Sequence, residues 1–96
     1  MAFVNLVTIV VKPGKVDTLL EQLRKIKKDV DTNEPGTKKY HIAQSTENTN
    51  EVFLWEEYED QAALDLHREG QTYKTFRASA ADVVESVKIV TSNIIA

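Results

Sequence analysis

With two histidines, three glycines and no cysteine, the chain has few residues that could do chemistry. His67 comes first, because an imidazole can take and release a proton near neutral pH. It faces inward if its helical neighbours Ala63 and Leu66 do. Glu56 and Tyr58 alternate onto one face of an extended segment, so one can orient a substrate oxygen while the other bonds to His67 or a backbone amide. Asn5 is the one polar side chain on the strand face made by Phe3, Val7, Ile9 and Val11. A buried amide there needs partners, which makes it a credible ligand contact. Trp55, Tyr73 and Phe76 offer aromatic surface suited to a flat ring, and Arg77 could pair with an anion. Plainer roles compete with each of these: His67 bonded to a strand end, Glu56 in a structural ion pair, the aromatics as core packing, Arg77 solvated.

Several function classes are excluded by what surrounds these residues. Two histidines without cysteine make no metal cluster, and three glycines make no phosphate-cradling loop, so no metal and no cofactor is expected. A formal charge of −3 argues against nucleic acid. The one basic stretch, Arg24-Lys25-Ile26-Lys27-Lys28, runs straight into Asp29 and Asp31 and reads as a solvated helix face. No apolar run approaches the roughly 18–20 residues of a membrane span, and the N-terminal stretch from Met1 to Asn5 lacks the features of a signal peptide. A soluble, unprocessed, cytoplasmic protein is expected, the absence of cysteine fitting a reducing compartment. Its 96 residues suit one domain, and a chain this short gains from a second subunit.

Hydrophobic periodicity shows which elements must hold the candidate residues in place. Residues 3–11 predict a first strand, apolar on both faces and closed by Lys12-Pro13-Gly14. Val16, Leu19, Leu20, Leu23, Ile26 and Val30 recur at steps of three and four and predict a helix over 15–31, stopped at Glu34-Pro35-Gly36. A second strand over 37–45 places His41 opposite Tyr40. Residues 46–50 form a hairpin connection to a third strand over 51–58, again with apolar residues on both faces. Asp60 suits the N-cap of a short helix ending near residue 69. Gly70 interrupts it, and a further helix carries Tyr73, Phe76, Ala80, Val83 and Val84 on one face. Residues 87–93 predict a fourth strand. The order β-α-β-β-α-α-β is a ferredoxin-like α+β pattern, giving a four-stranded, mainly antiparallel sheet with helices on one face. The open face would leave apolar side chains wet, so a homodimer through that face is expected, with His41 turned toward it.

The segment Glu56-Glu57-Tyr58-Glu59-Asp60-Gln61-Ala62-Ala63-Leu64-Asp65-Leu66-His67 resembles a pattern of the antibiotic biosynthesis monooxygenase (ABM) family: a Glu-x-aromatic strand end, an Asp cap, an Ala pair and a His. Glu34-Pro35-Gly36-Thr37 leading to Tyr40, and Tyr73-Lys74-Thr75-Phe76, are similar to further family segments. The likeness covers nearly the whole chain. Thr72 is a departure, because many members have a second His there.

The resemblance implies a dimeric α+β barrel with one pocket per subunit between sheet and helices. Of the Asn, Trp and His that serve the haem-degrading relatives, only Asn5 is matched, His67 and Arg77 standing at the other two places. The leading expectation is a cofactor-independent monooxygenase acting on a small aromatic phenol or quinol with molecular oxygen. His67 would be base or proton relay, Tyr58 and Asn5 hydrogen-bond partners, and Trp55, Glu56, Tyr73, Phe76 and Arg77 substrate contacts. The alternatives are a non-catalytic dimeric metabolite-binding or stress-associated domain, and an isomerase of a phosphorylated small sugar. The isomerase would need more cationic pocket residues than Arg77 alone.

Overall fold

The computed structural model describes residues 2–96; Met1, part of the N-terminal stretch read above, lies outside the described residues. Seven elements follow in the expected order: β1 Phe3–Val11, α1 Val16–Asn33, β2 Thr37–Gln44, β3 Glu51–Tyr58, α2 Gln61–Glu69, α3 Gln71–Val83 and β4 Val84–Asn93. The strands form one sheet in the order β2-β3-β1-β4, and every neighbouring pair is antiparallel. This is the ferredoxin-like α+β arrangement.

Local chemistry accounts for the element ends. Gly14 takes φ 79° in the turn between β1 and α1, a conformation that side-chain-bearing residues rarely adopt. The Asp60 carboxylate accepts from the Ala63 backbone N–H at 2.9 Å and caps α2, as its residue type foretold. Gly70 is extended and serves both as the end of α2 and the start of α3. The predicted boundary at the end of α3 needs correction. Helical spacing puts Val84 on the helix face, but its backbone is already extended, and it pairs with Val11 as the first residue of β4. Helical spacing and a strand start cannot be told apart where two valines meet, and the sheet's unfilled edge decided the matter.

Alternation along β1 and β3 sends Val7, Ile9, Val11, Val52 and Leu54 to the helix side, where they pack on Leu19, Leu23, Ile26 and Val30 of α1. Burying each aliphatic side chain is worth roughly 1.5–3 kcal/mol, so this layer holds α1 on the sheet. A smaller cluster of Tyr58, Ala63 and Leu64, with Phe3 against it, seats α2. On the opposite face no helix of the described residues lies over the sheet, although Val4 at one end is buried. Leu6, Phe53, Trp55 and Val90 are 39%, 38%, 40% and 44% exposed there.

Candidate active site

The turn after α1 builds the site. Glu34 ends the helix, its backbone N–H bonding to the Val30 carbonyl, and its own carbonyl accepts from the Thr37 N–H at 3.0 Å. A register shift between Thr37 and Lys39 turns Thr37 inward as well as Tyr40, and the Thr37 hydroxyl donates to Glu34 Oε1 at 3.1 Å. Gly36 in this turn lies so close to α2 that a Cβ there would sit 2.7 Å from the Ala63 Cβ. That close approach sets the height of α2. One helical turn beyond Ala63 on the same face is His67, whose Nδ1 lies 2.9 Å from Glu34 Oε1.

His67 is 2% exposed, and its ring is surrounded by tyrosines: Tyr73 at 5.2 Å, Tyr40 at 5.6 Å and Tyr58 at 5.7 Å between centroids. The expectation that Leu66 faces inward with it is overturned. Leu66 is 51% exposed, and the buried helical neighbours are Ala63 and Leu64.

Between the sheet and the three helices lies a cavity of about 70 Å³, lined by Asn5, Glu56, His67, Tyr73, Phe76 and Arg77 of the expected residues. Leu23, Ile26, Leu54 and Leu64 make its apolar walls, and Tyr40 and Arg68 also line it. Asn5 is 3% exposed, and its side-chain oxygen accepts from the Thr91 hydroxyl at 2.7 Å. Its amide nitrogen has no protein acceptor among the described residues and is not among the fully buried unpartnered atoms, so it is open to accessible space at the cavity wall. Glu56 accepts from the Tyr58 hydroxyl at 2.6 Å. Burial pushes the Glu56 carboxyl above its ordinary value, a push that the Tyr58 hydrogen bond and the charges of His67 and Arg68 only partly oppose. Burial likewise pushes the Tyr40 and Tyr58 hydroxyls up, with neighbouring Glu56 adding to it, so both phenols stay protonated.

Two of the sequence assignments change. Trp55 is not a cavity wall: it stands on the open face of β3, opposite His41 of β2, because its neighbours Leu54 and Glu56 are the residues that alternate inward. Tyr58 does not line the cavity either; it is wholly buried behind Glu56 and orients that carboxyl. Thr72, at the place of the second family histidine, is also outside the cavity, its hydroxyl tying α3 to Asp29 of α1 at 2.8 Å. A hydrogen bond from Asn33, and then the one from Thr72, hold the Asp29 carboxyl below its ordinary value.

Sequence reasoning missed Glu34, Tyr40 and Arg68. Glu34 was hidden inside a turn signal, although an acid at a helix end beside Pro-Gly has nowhere to be solvated if the turn is buried. Tyr40 was visible in the alternation of β2. Arg68 follows His67 directly and carried no signal of its own.

Comparison with known proteins agrees with this architecture. A family model described as antibiotic biosynthesis monooxygenase matches residues 2–79. No curated protein matches the chain. Among solved structures, the protein PA3566 of Pseudomonas aeruginosa superposes with a TM-score of 0.92 at 23% identity, over 99% of this chain and 95% of its own. A candidate antibiotic biosynthesis monooxygenase from Bacteroides thetaiotaomicron gives 0.93 at 21% identity, over 99% and 90%. Another, from Nitrosomonas europaea, gives 0.90 at 27% identity, over 98% and 90%.

Proposed function

The chain belongs to the antibiotic biosynthesis monooxygenase family, and on that premise we propose that its cavity oxidises a small phenol or quinol with molecular oxygen and no bound cofactor. The observation that carries this reading is His67 on the cavity wall, backed by the buried Glu34 carboxylate. With Nδ1–H donated to the Glu34 carboxylate, Nε2 keeps its lone pair and can accept a phenolic proton. Glu34 then stabilises the imidazolium that results, and Thr37 keeps the carboxylate in place. The tautomer is assigned from the carboxylate contact.

The deprotonated ring passes one electron to oxygen, and the two radicals combine to form a carbon–oxygen bond. Loss of water from the resulting peroxide leaves a carbonyl on the ring. One oxygen atom is retained, and the other departs as water with the phenolic and the displaced ring hydrogens, so the substrate supplies every electron. The unpaired Asn5 amide nitrogen can donate to the anionic oxygen. Glu56, inclined toward its protonated form, can return a proton to the departing oxygen.

The same proposal takes the protein to be a homodimer through the open sheet face, in the manner typical of the family, and to be cytoplasmic, in keeping with its lack of cysteine. No described helix is long and apolar enough to cross a membrane. A purely structural role for His67 would call for backbone partners, whereas its partner is a carboxylate and its ring borders a cavity.

The test is oxygen uptake by purified protein with 1,4-hydroquinone and substituted phenols, in the presence of a metal chelator. His67→Asn retains an N–H near the Nδ1 position for Glu34 while removing the base. It should lower turnover by about 10²–10⁴-fold. Unchanged turnover in that variant, or uptake abolished by the chelator, would sink the proposal.

A further inference from the structure

We propose that the substrate of this cavity is an aromatic acid, a single ring whose carboxylate is held by Arg68 and Arg77 at the mouth while its hydroxyl faces His67. The inference rests on the reading of the cavity as a phenol site and adds the substrate's charge and orientation. Arg68 from α2 and Arg77 from α3 both line the cavity, yet both side chains are exposed, so they stand at its rim. Neither is in an ion pair among the described residues, in a chain where acidic residues outnumber basic ones by 15 to 12. Two guanidiniums with no salt-bridged carboxylate, Arg68 acting on Glu56 only at a distance, are a ready site for one supplied by a ligand, since each offers a fork of donors matched to it.

The interior selects the opposite end of the substrate. Glu56 is buried on its wall and Glu34 lies behind His67, so a ligand carboxylate placed there would be desolvated beside acidic groups. A neutral hydroxyl meets His67 and the unpaired Asn5 amide instead. Size points the same way. About 70 Å³ is roughly half of a 150 Å³ apolar cavity that holds benzene. A single ring is therefore only partly enclosed, and the end of it away from His67 has to project through the rim. The apolar walls also disfavour a sugar phosphate, whose hydroxyls would be buried without partners.

Isothermal titration with 4-hydroxybenzoate, the neutral 4-hydroxybenzamide and phenyl phosphate tests the assignment. The acid should bind at least about tenfold more tightly than the amide at low salt, with the preference shrinking as salt is added. The double variant Arg68→Gln, Arg77→Gln should bring acid and amide to within about twofold of each other, while Arg24→Gln, away from the cavity, leaves the preference intact. Equal affinities in the wild type, a preference that survives the double variant, or binding of neither ring would overturn the inference. So would phenyl phosphate binding more tightly than the acid, which would assign the rim to phosphate esters. Because the readout is binding, His67→Asn should keep the acid preference. Absent preference with intact oxygen uptake on hydroquinone breaks this inference alone, and intact preference without uptake on any phenol breaks the proposed reaction alone.

Discussion

Leu54 and Trp55 are adjacent in β3, yet one is 5% exposed and the other 40%. The same contrast runs across the sheet. On the helix side, the apolar residues of β1 and β3 are packed beneath the helices, and the polar groups among them, Asn5 and Glu56, are held by Thr91 and Tyr58. Toward the β4 edge Val87 and Ile89, across from Ile9 and Val7, are 47% and 51% exposed. On the far side Leu6, Phe53, Trp55 and Val90 present apolar surface that none of the described residues covers. One face is thus packed at its centre within the chain and given chemistry. The other mixes apolar side chains with Thr8, Lys39, His41, Glu57 and Lys88 and lacks a second layer, which is the composition of an assembly surface.

Substitutions at neighbouring positions sharpen the contrast. Leu54→Ala should cost about 2–5 kcal/mol of unfolding free energy by leaving a cavity in the packed layer, measured by chemical denaturation. A cost within the roughly 0.5 kcal/mol typical of surface substitutions would deny that the helix-side face is the core. Trp55→Glu should act on association instead, weakening self-association by about 2 kcal/mol or more and shifting sedimentation toward the monomer. Retention of the wild-type assembly would show that the far face is not the contact.

Glu56→Gln probes the polar group inside the packed face. The folded-state carboxyl titrates above its ordinary value because of burial. Below the ordinary range both states are protonated and no penalty arises. As pH climbs through the raised folded value, the wild type loses stability by having to hold a buried charge. The glutamine variant should lack that loss, so the difference between them should grow with pH and then level off in denaturation curves. A difference independent of pH would mean that Glu56 is not desolvated. The smallest effect belongs to the Lys38–Glu59 pair, at 3.5 Å with both side chains well exposed. Lys38→Ala should change stability by no more than about 1 kcal/mol, and a larger change would mark that rim as structurally coupled to the Gly36 turn.

The fold was legible because its signals are local and repeated. Apolar steps of three and four mark α1, two-faced apolar strands mark β1 and β3, and single residues such as Asp60 and Gly70 mark helix ends. The candidate site was legible only in part. Asn5, Glu56, His67, Tyr73, Phe76 and Arg77 were named, and the structure gathers them around one cavity. Trp55 was misplaced because aromatic character says nothing about which face of a sheet a side chain takes. Leu66 was misplaced because at that point of a short helix Leu64 and Leu66 look alike.

Residue order and type alone therefore determined the element sequence, the two apolar faces and a histidine on the short helix, because each depends on periodicity over a few residues. Tertiary structure decided that Glu34, 33 positions away, would be the partner of that histidine, that Tyr58 would hold Glu56, and that Arg68 would reach the rim. Those pairings depend on how closely α2 settles on the turn at Gly36, a distance set by packing between segments that are remote in the chain.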